Sequence, residues 1–258
     1  MKLVDTHTHL YLEEFKDDRR EVVEAAINAN VETMLLPNID SGTVDDMNSL
    51  ATAFPENCFP MMGLHPTSVK DEYEKDLAMV EHLLNKGAYI AVGEIGIDLY
   101  WDKTYREQQI DAFRIQLKLA KKHKLPVSIH TRNSFEEIYP IVKEELNDDL
   151  KGVFHCFLGS EEEAKKIMDL GFLMGVGGVI TFKKATIGDV VKNIPNNYLV
   201  FETDAPFLTP VPFRGKRNQS AYIKYIAEKT AIIKGVTFEE IATVTTENAK
   251  KLFNIKGN

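Results

Sequence analysis

Cysteine is scarce in this chain, and the scarcity is a constraint. There are two, Cys58 and Cys156, in 258 residues. They lie in unrelated segments with no C-x-x-C spacing, which excludes a disulfide-stapled scaffold, a redox pair and a zinc knuckle. Both are expected as small core residues. Long apolar runs are missing too; none approaches the ~20 residues of a membrane span. The start, "MKLVDTHTHL", lacks the apolar stretch and small-residue cleavage site of a secretion signal, so a cytoplasmic location is expected. There is no basic excess: 31 Lys and Arg face 39 Asp and Glu, a formal net charge of −8. A protein that binds nucleic acid over its whole surface usually shows the opposite balance. A nucleic-acid substrate held at a metal-rich pocket is still allowed, because cation-binding carboxylates enter the formal sum and their cations do not. Low-complexity tracts, short repeats and Pro/Gly/Ser linkers are also absent. "GVGGVI" at 175–180 has neither G-x-G-x-x-G spacing nor the Lys-Ser/Thr of a phosphate loop. It reads as a strand end that a ligand or backbone approaches closely.

What is present is a regular alternation. Short β-prone runs, "KLVDTH", "ETMLLP", "FPMMGLH", "YIAVGEIG", "PVSIHT", "GVFHCF", "FLMGVGG" and "NYLVFETD", are separated by helical patterns such as "KDLAMVEHLLNKG" and "QQIDAFRIQLKLAKKH". In the latter, Ile110, Phe113, Leu117 and Ala120 recur at helical spacing. Ser160 followed by Glu163 reads as a helix start with a capping box, and Gly87 and Gly171 read as helix stops. Eight strands alternating with seven or eight helices predict a parallel sheet. The count of eight, with no glycine-rich turn after the first strand, favours a closed (β/α)8 TIM barrel of the α/β class over an open doubly wound sheet. At 44% hydrophobic and 27% charged, residues 1–258 are expected to form one soluble catalytic domain.

In such a barrel the active site lies at the carboxyl ends of the strands. Five of the seven histidines fall there: His7 and His9 after the first run, His65 after the third, His130 after the fifth and His155 after the sixth. Glu94 ends the fourth, and Glu202 and Asp204 end the eighth. His82 and His123 sit on helices and are expected to be solvated. Strand alternation puts Asp5, His7 and His9 on one face, and likewise Ser128 with His130, Val153 with His155, Val92 with Glu94, and Val200 with Glu202 and Asp204. Packing so many imidazoles and carboxylates unpaired would cost several kcal/mol each. A divalent metal centre removes that conflict.

These stretches resemble the TatD family of metal-dependent hydrolases, within the amidohydrolase-like barrels. "DTHTHL", "GLHP", "GEIGID", "HTRNS", "HCFLGS" and "ETDAPFLTPVPFRGKRN" follow in family order from residue 5 to residue 218, and the last is long enough to be highly specific. The resemblance implies two divalent metal ions per chain and deoxyribonuclease activity on DNA ends. It implies that His7, His9 and Asp204 hold one metal, that His130 and His155 hold the other, and that Glu94 bridges them. Family assays point to Mg2+, whereas imidazole-rich donors suit Zn2+ or Mn2+. Thr67 and Asn133 depart from the family pattern, which has histidine and aspartate there.

In the expected reaction the metals activate a water, with Asp204 as ligand and proton acceptor. Glu202 and Asp5 are expected either to orient ligand imidazoles or to make structural hydrogen bonds. His65, Arg132 and Arg214 are expected to contact the phosphate, beside Lys216 and Arg217. Asp98, Tyr100 and Trp101 lie near the mouth, each with a packing role as a standing alternative. Three rivals remain. One is hydrolysis of a small amide, ester or lactone, to which the basic aromatic loop would be of no use. Another is cleavage of the D-aminoacyl-tRNA ester. The third is a metal-binding partner without catalysis. The expected partner is DNA, single-stranded or at ends, with no membrane association and a monomer or weak oligomer.

Overall fold

Eight short parallel strands form the inner layer of the structure, a computed structural model that describes residues 2–255. β1 (Leu3–Asp5), β2 (Val31–Pro37) and β3 (Cys58–Met61) pair in one run; β4 (Val92–Asp98), β5 (Val127–Arg132), β6 (Gly152–Phe154), β7 (Leu173–Val176) and β8 (Leu199–Phe201) pair in a second. Every pairing is parallel. Backbone hydrogen bonds continue across both seams. Met62 N donates to Ala91 O at 3.1 Å, and Thr6 N donates to Phe201 O at 3.0 Å. The architecture is the TIM-like barrel expected from the sequence.

A helix follows each strand: α1 (Arg19–Asn28), α2 (Val44–Ala53), α3 (Tyr73–Asn85), α4 (Arg106–His123), α5 (Phe135–Glu145), α6 (Glu161–Asp169), α7 (Ile187–Asn193) and α8 (Ile223–Lys234). The strands carry continuous apolar runs because parallel strands are covered on both faces. In α4 the expected stripe faces inward, with Phe113, Leu117 and Ala120 buried. Ser160 caps α6: its hydroxyl accepts from Glu163 N at 3.2 Å and Glu163 Oε2 accepts from Ser160 N at 2.6 Å. Gly87 and Gly171 follow α3 and α6 at φ 76° and 77°, the left-handed stop that glycine adopts without a Cβ penalty. A ninth helix, α9 (Phe238–Phe253), has no place in the one-strand, one-helix count. It packs against β1 and β8 and inserts Ala249 and Phe253 into a cluster with Val4, Leu35, Met61, Ala91, Val153 and Val200.

Five strands end before the apolar runs that suggest them do. β1, β3, β6, β7 and β8 end at Asp5, Met61, Phe154, Val176 and Phe201, so His7, His9, His65, His155, Glu202 and Asp204 stand on the segments just beyond them. Backbone bonds still hold those segments in register: His155 N donates to Ile129 O at 3.0 Å, Glu202 N to Val176 O at 3.2 Å, and Asp204 N to His7 O at 2.9 Å. No helix among the described residues is long and apolar enough to cross a membrane.

Candidate metal centre

The Glu94 carboxylate is the hub of the rim. Its Oε2 lies 3.0 Å from His7 Nε2 and 3.6 Å from His9 Nε2. Its Oε1 lies 2.7 Å from His130 Nδ1, 3.2 Å from His155 Nε2 and 3.3 Å from His65 Nε2. Asp204 Oδ1 completes the group, 3.6 Å from His9 Nε2 and 3.9 Å from His7 Nε2. His7, His9, Glu94 and His155 are buried, and His65, His130 and Asp204 are half-buried at the opening. The His7 and His155 rings stack at 3.7 Å between centroids, and His7 Nε2 faces His9 Nε2 at 3.2 Å. Two ring nitrogens at that distance need a proton or a cation between them.

The outer nitrogens show which atoms point inward with a lone pair. The Tyr11 hydroxyl donates to Pro37 O, so its oxygen accepts from His9 Nδ1–H at 2.9 Å. That leaves a lone pair on His9 Nε2, aimed at the hub. His130 Nε2 lies 2.9 Å from Asp98 Oδ2, and His155 Nδ1 lies 3.2 Å from Glu202 Oε1. Each of these rings is held between an outer carboxylate and the hub, the pattern of a metal-ligating histidine with its orienting acid. His65 is the opposite case. Its Nδ1 accepts from Thr67 N at 3.1 Å, which places its proton on Nε2, facing Glu94. Glu202 fits against β7 because residue 175 is glycine; a Cβ there would lie 2.2 Å from Glu202 Oε2. That close approach accounts for part of the "GVGG" run.

Burial and mutual charge set the protonation. Burial pushes Asp204 up to about 7, with His155 opposing and Glu94 adding to the rise. Burial raises Glu94 as well, but His65, His155 and His7 together outweigh it and hold its carboxyl well below the usual range. Burial lowers His7 strongly and brings His9 to about 4. It also acts to lower His130 and His155. There the carboxylates prevail: Asp98 and Glu94 raise His130, and Glu94 and Glu202 raise His155 well above its ordinary value. Protons thus occupy the centre of a cluster whose donors are a carboxylate hub, neutral imidazoles with inward lone pairs, and imidazoles backed by acids. That donor set fits divalent cations. His7, His9 and Glu94, His7, His155 and Asp204, and His65, Glu94 and His130 each bring ligand atoms within 4.8 Å of one another.

The cluster lies at the base of an open cleft of about 1100 Å³, at the upper end of ligand-sized pockets. Arg132 lines the cleft, with Tyr100, Trp101, Leu158 and Phe207. Arg214 does not. Its guanidinium lies 3.8 Å over the Phe182 ring and donates to Thr209 O at 3.0 Å. Arg217 is forked onto Asp18. Both members of the predicted basic patch are engaged by protein partners, Arg214 within its own loop and Arg217 across to the segment before α1, and Arg214 lies outside the cleft lining. Asp5 takes the structural one of its two expected roles. Its carboxylate accepts from the Thr203 amide and hydroxyl at 2.9 and 2.6 Å and touches no imidazole, so it ties the end of β1 to the segment after β8. His123 is half-buried rather than solvated, and Cys156 borders the cleft whereas Cys58 is core. Asp98 is the outer partner of His130. The alternation that singles out Glu94 places Asp98 two strand repeats further on the same face of β4. Tyr11 lies in a turn beyond β1, where no strand period applies.

Comparison with known proteins agrees with this geometry. A family model described as TatD related DNase matches residues 4–254. The chain is 43% identical over 254 residues to the uncharacterised metal-dependent hydrolase YabD of Bacillus subtilis, covering 98% of this chain and 99% of that protein. It is 30% identical over 259 residues to a protein of Erwinia tasmaniensis named 3'-5' ssDNA/RNA exonuclease TatD, covering 98% and 100%. Among solved structures, the TatD homologue YjjV of Escherichia coli superposes with a TM-score of 0.93 at 29% identity, with 98% of each chain covered.

Proposed function

Because the chain belongs to the TatD family of metal-dependent hydrolases, we propose that its rim cluster hydrolyses phosphodiester bonds at the end of a single-stranded nucleic acid, DNA foremost. The single observation behind this is the convergence of five imidazoles on the two oxygens of Glu94, with Asp204 alongside. His7, His9 and Asp204 would hold one divalent cation, His130 and His155 a second, with Glu94 shared. Imidazole donors favour zinc or manganese, and magnesium is the alternative. Bound there, the cations supply Lewis-acid activation of water and of the phosphodiester.

The chain's own groups do the remaining work. Asp98 and Glu202 hold the His130 and His155 rings in orientation. Asp204, at the open edge of the cluster, takes the proton from the attacking water. His65 carries its proton on Nε2 and serves as a hydrogen-bond donor to a phosphate oxygen. Arg132, on the cleft wall, offers a guanidinium fork to a neighbouring phosphate. The name of the Erwinia tasmaniensis relative supports a single-stranded substrate, and so do the aromatic rings exposed in the cleft.

The test uses end-labelled single-stranded DNA with the purified protein. Mononucleotide release is expected, abolished by EDTA and reduced about 10³-fold or more in Asp204→Asn. Absence of release with any divalent metal would sink the nuclease reading and leave small esters or lactones as the substrate class.

A further inference from the structure

Two large aromatic side chains stand in water at the mouth of the cleft. Trp101 is 68% exposed and Tyr100 is 53% exposed. They follow the end of β4 directly, and the rings meet edge to face at 4.9 Å and 86°. Their position is not left to chance. Asp98 Oδ1 accepts from the amides of Tyr100 at 2.9 Å and Trp101 at 3.3 Å, while Asp98 Oδ2 lies 2.9 Å from His130 Nε2. One buried carboxylate therefore fixes both the aromatic turn and a candidate metal ligand. Asp98 N is itself anchored, donating to Gln109 Oε1 at 2.8 Å.

The β4–β5 register sets Arg132 opposite Asp98. The Arg132 guanidinium lies 4.0 Å over the Tyr100 ring and 5.1 Å from the Trp101 ring. It pairs with no carboxylate among the described residues, and it is the one arginine or lysine among the described residues that line the cleft. Stacking holds the guanidinium flat and leaves its donors open. The charge here is opposite to that of the chain as a whole, which is −8. An exposed ring surface next to an unpaired, pre-oriented arginine suits a ligand with a flat face and an adjoining anion.

We propose that Trp101, Tyr100 and Arg132 form a docking subsite for one unpaired nucleobase and its flanking phosphate, with the base stacked on Trp101 and the phosphate on Arg132. The proposal rests on the nuclease reading above and adds the source of its strand preference. Only a base released from its duplex partner and stacked neighbours can offer a full face to the ring.

Trp101 is the sole tryptophan of the chain, so tryptophan emission reports this subsite alone. The metal-stripped protein is titrated in EDTA with a five-residue oligothymidylate, and in parallel with a five-unit abasic oligomer that keeps the phosphates and lacks the bases. Saturable quenching by the thymidylate is expected, with at least about tenfold weaker binding of the abasic chain. In the metal-loaded enzyme, Trp101→Ala is expected to raise KM for single-stranded DNA about tenfold with kcat nearly unchanged, and Trp101→Phe to restore most of the loss. Digestion of DNA with no quenching and an unchanged KM in Trp101→Ala would overturn the subsite and leave the nuclease standing. Quenching by thymidylate in a protein that digests no DNA would keep the subsite and remove the nuclease. Equal binding of the abasic chain would show that phosphate alone is read, which also overturns the proposal.

Discussion

Against α9, the barrel is closed by Val4, Leu35, Met61, Ala91, Val153, Val200, Ala249 and Phe253, a cluster without a charge. A few residues further along four of the same segments stand Asp5, His7, Glu94, His155 and Glu202, all buried and titratable. The two zones share the same strands and serve opposite purposes. The apolar zone gains free energy by excluding water. The polar zone loses free energy by burial, and it holds together through reciprocal contacts that invite a cation. Stability and chemistry are therefore separated along the barrel axis, which leaves the rim free to be strained without unfolding the chain.

The sharpest way to break this comparison is at the closed end. Phe253→Ala is expected to cost about 3–5 kcal/mol of unfolding free energy, read from denaturant curves. Activity per folded molecule at low temperature should stay unchanged; a collapse of kcat in folded protein would show that the two zones are coupled. At the rim the expected pattern is reversed. Glu202→Gln retains an oxygen to accept from Cys156 N, now at 2.5 Å from Glu202 Oε1, so the fold should survive. Metal affinity is expected to fall about 10–100-fold, measured by competition with a chromophoric chelator. Unchanged affinity would show that the negative charge of Glu202 does not support His155 as a ligand. The smallest effect is expected at Arg214→Ala, which should alter KM for an oligonucleotide by less than about twofold. A large rise in KM there would return the loop after β8 to the substrate surface.

How much of this was legible in the sequence depended on which physical rule governed each residue. Strand alternation and the carboxyl-end rule located Glu94, His130 and His155, because register in a parallel barrel leaves little freedom there. The runs extend past the ends of β1, β3, β6, β7 and β8, since segments that continue the backbone ladder look like strand in an apolar sequence. α9 belongs to no strand–helix unit, so the alternation of strands and helices does not predict it. The side-chain direction of Arg214, in the loop after β8, is carried by no periodicity, and the choice between the two roles of Asp5 depends on which segment meets the end of β1. The proton on His65 Nε2 follows from one amide, that of Thr67, and could be read only from the fold.

The most direct test is titration calorimetry of the chelator-stripped protein with Mn2+ at pH 6 and pH 8, beside Glu94→Gln. Burial holds Asp204 near 7, so a cation must displace a proton below that pH, and affinity should rise from pH 6 to pH 8. About two cations per chain are predicted, with both lost or weakened together when the shared carboxylate is removed. Failure of the wild-type protein to bind a divalent ion, or full binding by Glu94→Gln, would contradict a metal centre organised around Glu94.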